Sequence, residues 1–164
     1  MITLVLGIGH PDRGDDAAGL LVADQLRETP HLVARSVEGD PSAILSDPLW
    51  DTADHVVIVD TVQTGAPPGT VFCWDAAEVL DLLSSTAVSV PNGGTHDLGV
   101  AATVRLAEAL GRLPRDLTMV GIEGARFTCG APPSHEVLAA TERVAAALDV
   151  QVMLDAGGAL GVSG

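Results

Sequence analysis

Short continuous apolar runs alternate along this chain with helical hydrophobic patterns, the signature of buried parallel strands joined by crossover helices. The runs Ile2–Leu6, Leu32–Val37, Val56–Val59, Val71–Trp74 and Leu117–Ile122 predict strands. A helix is predicted from about Asp16 to Glu28. A second, from about Asp97 to Leu110, sets Leu98, Ala102, Leu106 and Ala109 on one face, with Gly111 placed to end it. A third opens at Ser134 as its N-cap and is expected to bury Val137, Leu138, Val144, Ala145 and Leu148. Strands and helices in this order imply an α/β fold: a three-layer sandwich with a mainly parallel central sheet and helices on both faces.

Pro67-Pro68-Gly69 makes a tight connection, and Ser84 to Thr95 is a turn-rich loop of the length that often carries function. With 164 residues and no internal repeat or linker, the chain fits one domain over residues 1–156. The small, glycine-rich residues 157–164 are expected to form a flexible tail.

Charge narrows the partners. The formal net charge is -14, and all eight basic residues are arginine. Such a surface repels nucleic acid and anionic membrane, and suits a cation or a basic peptide. The start of the chain has no basic stretch, and Ile2–Leu6 is too short for a signal peptide or a membrane span, so a cytoplasmic protein is expected. Cys73 and Cys129 are far apart and form no C-x-x-C pair, which gives neither a disulfide framework nor a thiolate metal site. Both are expected to be buried small apolar residues. Cys129, in a glycine-bearing loop, is the alternative nucleophile.

The densest chemistry lies where the first strand runs through Gly7-Ile8-Gly9-His10-Pro11-Asp12-Arg13-Gly14-Asp15-Asp16 into an Ala/Leu-rich helix. A glycine-rich strand-to-helix turn usually cradles phosphate on backbone N–H groups. Here the dinucleotide fingerprint fails on glycine spacing. The nucleotide-hydrolase loop fails because Asp15 and Asp16 stand where Lys and Ser/Thr belong. Carboxylates in that place suit a cation, although Asp is also favoured at helix N-caps.

In an open parallel sheet, ligands bind beyond the carboxyl ends of the strands, near the point where strand order reverses. Three polar groups fall there: Asp16 after the first strand, Asp60 after Val56-Val57-Ile58-Val59, and His96 at the end of the long loop, before a helix. Two carboxylates and an imidazole on separate loops make a three-ligand site with open positions for substrate or water. Each residue also has a plain structural reading, as a turn or helix cap. Two acids after the first strand and one after the third also suit a phosphoryl-accepting receiver domain, but that needs a lysine and the chain has none. His96-Asp97 lacks the H-x-D spacing usual in mononuclear iron oxygenases.

These residues resemble the hydrogenase maturation proteases, endopeptidases that trim the C-terminal extension of a nickel–iron hydrogenase large subunit. Leu4-Val5-Leu6-Gly7-Ile8-Gly9 with Asp15-Asp16-Ala17-Ala18-Gly19 is similar to the family's first signature. Val56-Val57-Ile58-Val59-Asp60 is similar to the second, and Thr95-His96-Asp97-Leu98-Gly99 to the third. Val120-Gly121-Ile122 and the loop to Pro133-Ser134 are similar to a fourth segment. In two places the chain departs from the family pattern: His10 stands where Asn is usual, as an extra ligand or a turn residue, and Gly39-Asp40-Pro41 stands where Gly-Gly-Thr is frequent.

The resemblance implies the phosphorylase/hydrolase-like fold of that family and carries its metal-contacting, catalytic positions onto Asp16, Asp60 and His96. It implies that nickel arrives with the hydrogenase large-subunit precursor, that no tightly bound intrinsic cofactor is present, and that cleavage proofreads nickel insertion. A divalent metal there either polarises the scissile carbonyl or lowers the pKa of an attacking water. Asp15 and Asp97 are candidates for orienting the ligands or for general-base work, their plain alternative being helix capping. A non-cleaving nickel-sensing module that docks on a hydrogenase subunit is the alternative function, and a monomer is expected.

Overall fold

The computed structural model describes residues 1–84 and 97–158. Five strands, β1 (Thr3–Gly9), β2 (Leu32–Glu38), β3 (His55–Val62), β4 (Val71–Asp75) and β5 (Leu117–Glu123), form one sheet in the order β2-β1-β3-β5-β4. All neighbours run parallel except β4, which pairs with β5 antiparallel at the edge. The helices are α1 (Ala18–Gln25), α2 (Ala76–Ser84), α3 (Asp97–Ala109) and α4 (His135–Gly158). The chain thus has the expected mainly parallel α/β sandwich.

Side-chain alternation along the strands builds two cores. Leu4, Leu6 and Ile8 of β1, Val56 and Ile58 of β3, and Leu117 and Met119 of β5 pack on Val79 of α2, Val100, Val104 and Ala107 of α3, and Ile44 and Trp50. The opposite residues, Val5, Val57, Val59, Val120 and Ile122, pack on Ala18 and Val22 of α1 and Val137, Ala140 and Val144 of α4. Strands buried on both faces read as continuous apolar runs, so they are legible without a period-2 pattern.

Several local expectations need correction. The helix expected from Asp16 to Glu28 is a 3-10 turn, Gly14–Ala17, followed by an α-helix that stops at Gln25. On α3 the buried stripe is Val100, Thr103, Val104 and Ala107, while Leu106 is 46% exposed and Ala102 and Ala109 face solvent. Two apolar stripes compete on this Ala-rich helix, and the β-branched one fits the sheet. Leu138 is exposed on α4, beside the buried Val137. The α3 terminus is as read: Gly111 N–H donates to the Glu108 carbonyl at 3.0 Å, and Arg112 N–H to that of Ala107 at 2.8 Å. This is a Schellman pair, with Gly111 at φ 66°. Pro67-Pro68-Gly69 closes as a turn through Thr70 N–H to the Pro67 carbonyl at 3.1 Å.

Cys73 and Cys129 are exposed, not buried. Cys73 lies on the edge strand with its thiol pKa raised by partial desolvation and by Glu78, and Cys129 lies in the loop before α4. Helix α4 runs through Gly157 to Gly158, and the rest of the expected tail lies outside the described residues. Among the described residues no helix is long and apolar enough to cross a membrane.

Candidate functional site

Strand β1 is flanked by β2 on one side and β3 on the other, so strand order reverses between β1 and β3. Asp16 follows β1 and Asp60 lies on β3, at the carboxyl end of that switch point. Strand β3 runs two residues beyond Asp60, because Asp60, Thr61 and Val62 continue the register with Gly121, Ile122 and Glu123. Asp16 is 6% exposed and Asp60 2%. Asp60 Oδ1 accepts from Thr61 N–H at 2.8 Å. By alternation from Val56 and Ile58, Asp60 is directed to the α3 face.

The turn carrying Asp16 is pressed onto the sheet by missing side chains. A Cβ on Gly9 would run into the Asp16 carbonyl, and one on Gly19 into the carbonyls of Ile8 and Val59. Glycine at these two positions lets the first turn of α1 lie directly on β1 and β3. The His10 backbone takes the turn role, donating to the Asp16 carbonyl at 3.2 Å and accepting from Arg13 N–H at 3.4 Å. Among the described residues, its ring Nδ1 is buried with no hydrogen-bond partner.

Asp15 has a role the sequence leaves open. It is fully buried, and its carboxylate accepts backbone N–H groups from Ala125 (2.8 Å), Arg126 (2.8 Å) and Ser134 (2.7 Å). Burial alone would raise its pKa, but the N–H groups of Ser134, Ala125 and Arg126 together outweigh it and hold the carboxyl below the ordinary aspartate value. It is neither a helix cap nor a base facing the crevice: it fastens both ends of the 125–134 loop to the Asp16 turn. Nothing in the sequence around Asp15 signals partners more than a hundred residues away. Glu123, also buried and absent from the expected site, does likewise for the loop after β3, accepting from Thr64 N–H (2.8 Å), Thr64 Oγ1 (2.8 Å) and Gly65 N–H (3.0 Å).

Gly39-Asp40-Pro41 is a helix-entry turn. Asp40 Oδ1 accepts from Ser42 N–H at 2.9 Å, which lowers the Asp40 pKa, and Pro41 opens a 3-10 helix, Pro41–Ser46. Gly39 N–H donates to the Gly9 carbonyl at 3.2 Å, and Gly99 in the first turn of α3 lies so close to Pro41 that a Cβ would sit 2.8 Å from its Cγ. The end of β2, the β1 turn and the start of α3 therefore meet at the carboxyl edge.

His96 directly precedes α3 and lies outside the described residues, as does the side chain of Asp97. Among the described residues no three His, Cys, Asp or Glu side chains form a metal-holding group. The structure brings Asp16 and Asp60 to one switch point; the third member of the expected trio is outside its reach.

The family model of the HycI hydrogenase maturation proteases matches residues 43–149. The chain belongs to this family. Among relatives, the hydrogenase 2 maturation protease of Escherichia coli K12 is 30% identical over 156 residues, covering 90% of this chain and 91% of that protein. The hydrogenase expression/formation protein HupD of Thiocapsa roseopersicina is 30% identical over 124 residues, 73% of this chain. The chain spans only 53% to 58% of the length of the first curated relatives it matches. The structure of the hydrogenase maturating endopeptidase HybD from E. coli superposes with a TM-score of 0.69 at 25% identity, covering 92% of this chain and 94% of that one. The chain thus has the family's fold over nearly its whole length.

Proposed function

We propose that this chain is an endopeptidase that removes the C-terminal extension of a nickel–iron hydrogenase large-subunit precursor after nickel insertion. The observation that carries the reading is the pair of buried carboxylates, Asp16 and Asp60, at the point where strand order reverses. Two acids, one in the turn after β1 and one on the adjacent strand β3, suit a divalent cation far better than an anion or an apolar ligand. The start of α3 beside Pro41, at the same edge, supports assigning His96 to the same crevice. Asp16, Asp60 and His96 then contact nickel that the precursor brings. Oxygen donors with one imidazole and no thiolate hold a free ion weakly, which suits a metal that arrives and leaves with substrate.

The chemistry follows from open coordination positions: nickel held by few protein groups leaves room for the scissile carbonyl or a water. Asp15, committed to three backbone donors, serves the scaffold instead of proton transfer. Two exposed, unpaired cysteines suit a reducing compartment, and we place the reaction in the cytoplasm, carried out by a monomer.

The test is incubation with nickel-loaded and nickel-free precursor, followed by the electrophoretic shift that marks loss of the extension. Cleavage of the loaded form alone is expected. Stable binding of loaded precursor with no cleavage would replace the peptidase with a nickel-sensing module.

A further inference from the structure

Between α1 and the edge strand β2 lies a groove of about 190 Å³. Its floor is apolar, from Ala17, Leu20 and Leu21, and its rim carries Asp24, Ser36 and Glu38. Ser36 Oγ donates to Asp24 Oδ1 at 3.0 Å and fixes that carboxylate at the wall. Pro11 closes the end nearest the Asp16 turn, and Ala17 follows Asp16 directly. Ser36 and Glu38 share the α1 face with Leu32 and Ala34, whereas Asp60 is directed to the other face. The groove therefore lies on the sheet face opposite Asp60, yet opens on the same edge of the sheet.

Its size and lining select the occupant. The volume is below the roughly 300 Å³ at which small-molecule pockets begin, and suits a single long side chain. An apolar floor with carboxylates at the rim matches an aliphatic stem ending in positive charge. No basic residue lines it among the described residues, and the net charge of -14 favours a cationic partner. Alongside runs the outer edge of β2, where Leu32 is bonded to Thr29 and the Ala34 carbonyl accepts from Arg35, so that the stretch Ser36 to Glu38 beside the groove is the part of the edge that can take an extended polypeptide.

We propose that this groove is a substrate exosite, which takes an arginine or lysine side chain of an extended polypeptide lying along the edge of β2 at Ser36 to Glu38. The proposal rests on the reading of the substrate as a polypeptide. It adds a specificity element on the sheet face opposite Asp60, with Asp24 and Glu38 as the groups that recognise charge.

The test is a titration of the ¹⁵N-labelled full chain with the peptide acetyl-Gly-Ala-Arg-Ala-Gly-amide and its norleucine and glutamate counterparts, followed by amide shifts. The arginine peptide should shift Leu21, Asp24, Ser36 and Glu38, and bind at least about tenfold more tightly than the norleucine peptide. The Asp24→Asn/Glu38→Gln double variant, exposed at both positions, should melt as wild type and lose that preference. Equal binding of arginine and norleucine peptides, or shifts confined to other surfaces, overturns the exosite. In the precursor assay the double variant should raise KM with kcat unchanged. Wild-type chain that binds the arginine peptide as described but never cleaves loaded precursor would refute the peptidase reading and leave the groove assignment standing. Wild-type cleavage with KM unchanged in the double variant would do the reverse.

Discussion

Thr61 Oγ1 donates to the main-chain carbonyl of Asp15 at 2.8 Å, a buried bond between residues 46 apart in sequence. Each is the neighbour of a candidate metal-contacting acid, Asp60 on β3 and Asp16 after β1. One hydroxyl therefore ties the backbone segments that carry the two carboxylates to each other. Thr61→Val keeps the shape but leaves a buried carbonyl without its donor, and should cost about 1–2 kcal/mol. Thr61→Ser should restore most of it. Denaturant melts of the three proteins check this, and processing should follow the same order.

The Asp15 carboxylate makes stability depend on pH. Its folded pKa lies below the ordinary aspartate value of 3.8, so its contribution is fully present above that value and is lost as pH falls through the folded one. At neutral pH, Asp15→Asn replaces an acceptor-only carboxylate with an amide whose NH2 would be set against backbone N–H donors, and should cost on the order of 3 kcal/mol. For a chain of this length that is roughly 6–12 °C in Tm. The gap between wild type and variant should narrow as the pH drops below about 4, since protonation of Asp15 then removes the same interaction. A gap that stays constant with pH would contradict the assigned bonds.

Runs of Val, Ile and Leu announce β1, β3 and β5 because both faces of each are buried, and Asp16 and Asp60 are picked out from the ends of the apolar runs of β1 and β3, although β3 continues two residues past Asp60. Less legible are features that depend on partners distant in sequence. Asp15 looks like a helix cap until its three donors at residues 125, 126 and 134 are known. The α3 stripe is misread because Leu106 and Val104 are equally apolar, and only packing against the sheet chooses between them. Cys73 is misread as buried because its strand is an edge, which composition does not reveal. Asp16 and Asp60, expected to face an open crevice, are buried, and so they contribute to the fold as well as to the site.

Gly19 carries a strong steric prediction. A Cβ there would meet the carbonyls of Ile8 and Val59 and come within 2.7 Å of the Ile8 nitrogen, all backbone atoms of central strands. They cannot yield without moving β1 and β3. Gly19→Ala should therefore destabilise by about 3 kcal/mol or more, although alanine is the better helix former at an unconstrained position. Gly39→Ala, where nothing lies within 4 Å, is the contrast: φ of 80° is its only strain. Chemical denaturation of both variants separates steric from torsional cost.

Isolated protein should hold little metal after dialysis, because oxygen ligands with one imidazole make a weak, open site. Added Ni, Zn or Cd should bind, and Asp16→Asn or Asp60→Asn should weaken that binding. Elemental analysis and calorimetry give the two readouts. A stoichiometric metal that survives dialysis would show a resident cofactor and contradict delivery by substrate.

The final prediction tests which groups carry the reaction. Asp16→Asn, Asp60→Asn and His96→Ala should each abolish processing of nickel-loaded precursor. The asparagine variants keep the side-chain shape at two buried positions, so their melts should stay within a few degrees of wild type while activity is lost. Cys73→Ser and Cys129→Ser should retain processing, since both thiols are exposed and a metal-assisted route needs no thiolate nucleophile. The Cys73 thiol is in addition pushed up by partial burial and by Glu78, which keeps it protonated and a poor nucleophile at neutral pH. The measurement is the electrophoretic shift of the large subunit, with thermal melts as the folding control. A dead Cys129→Ser beside an active His96→Ala, both folded, would overturn the metal-assisted route and put a cysteine peptidase in its place.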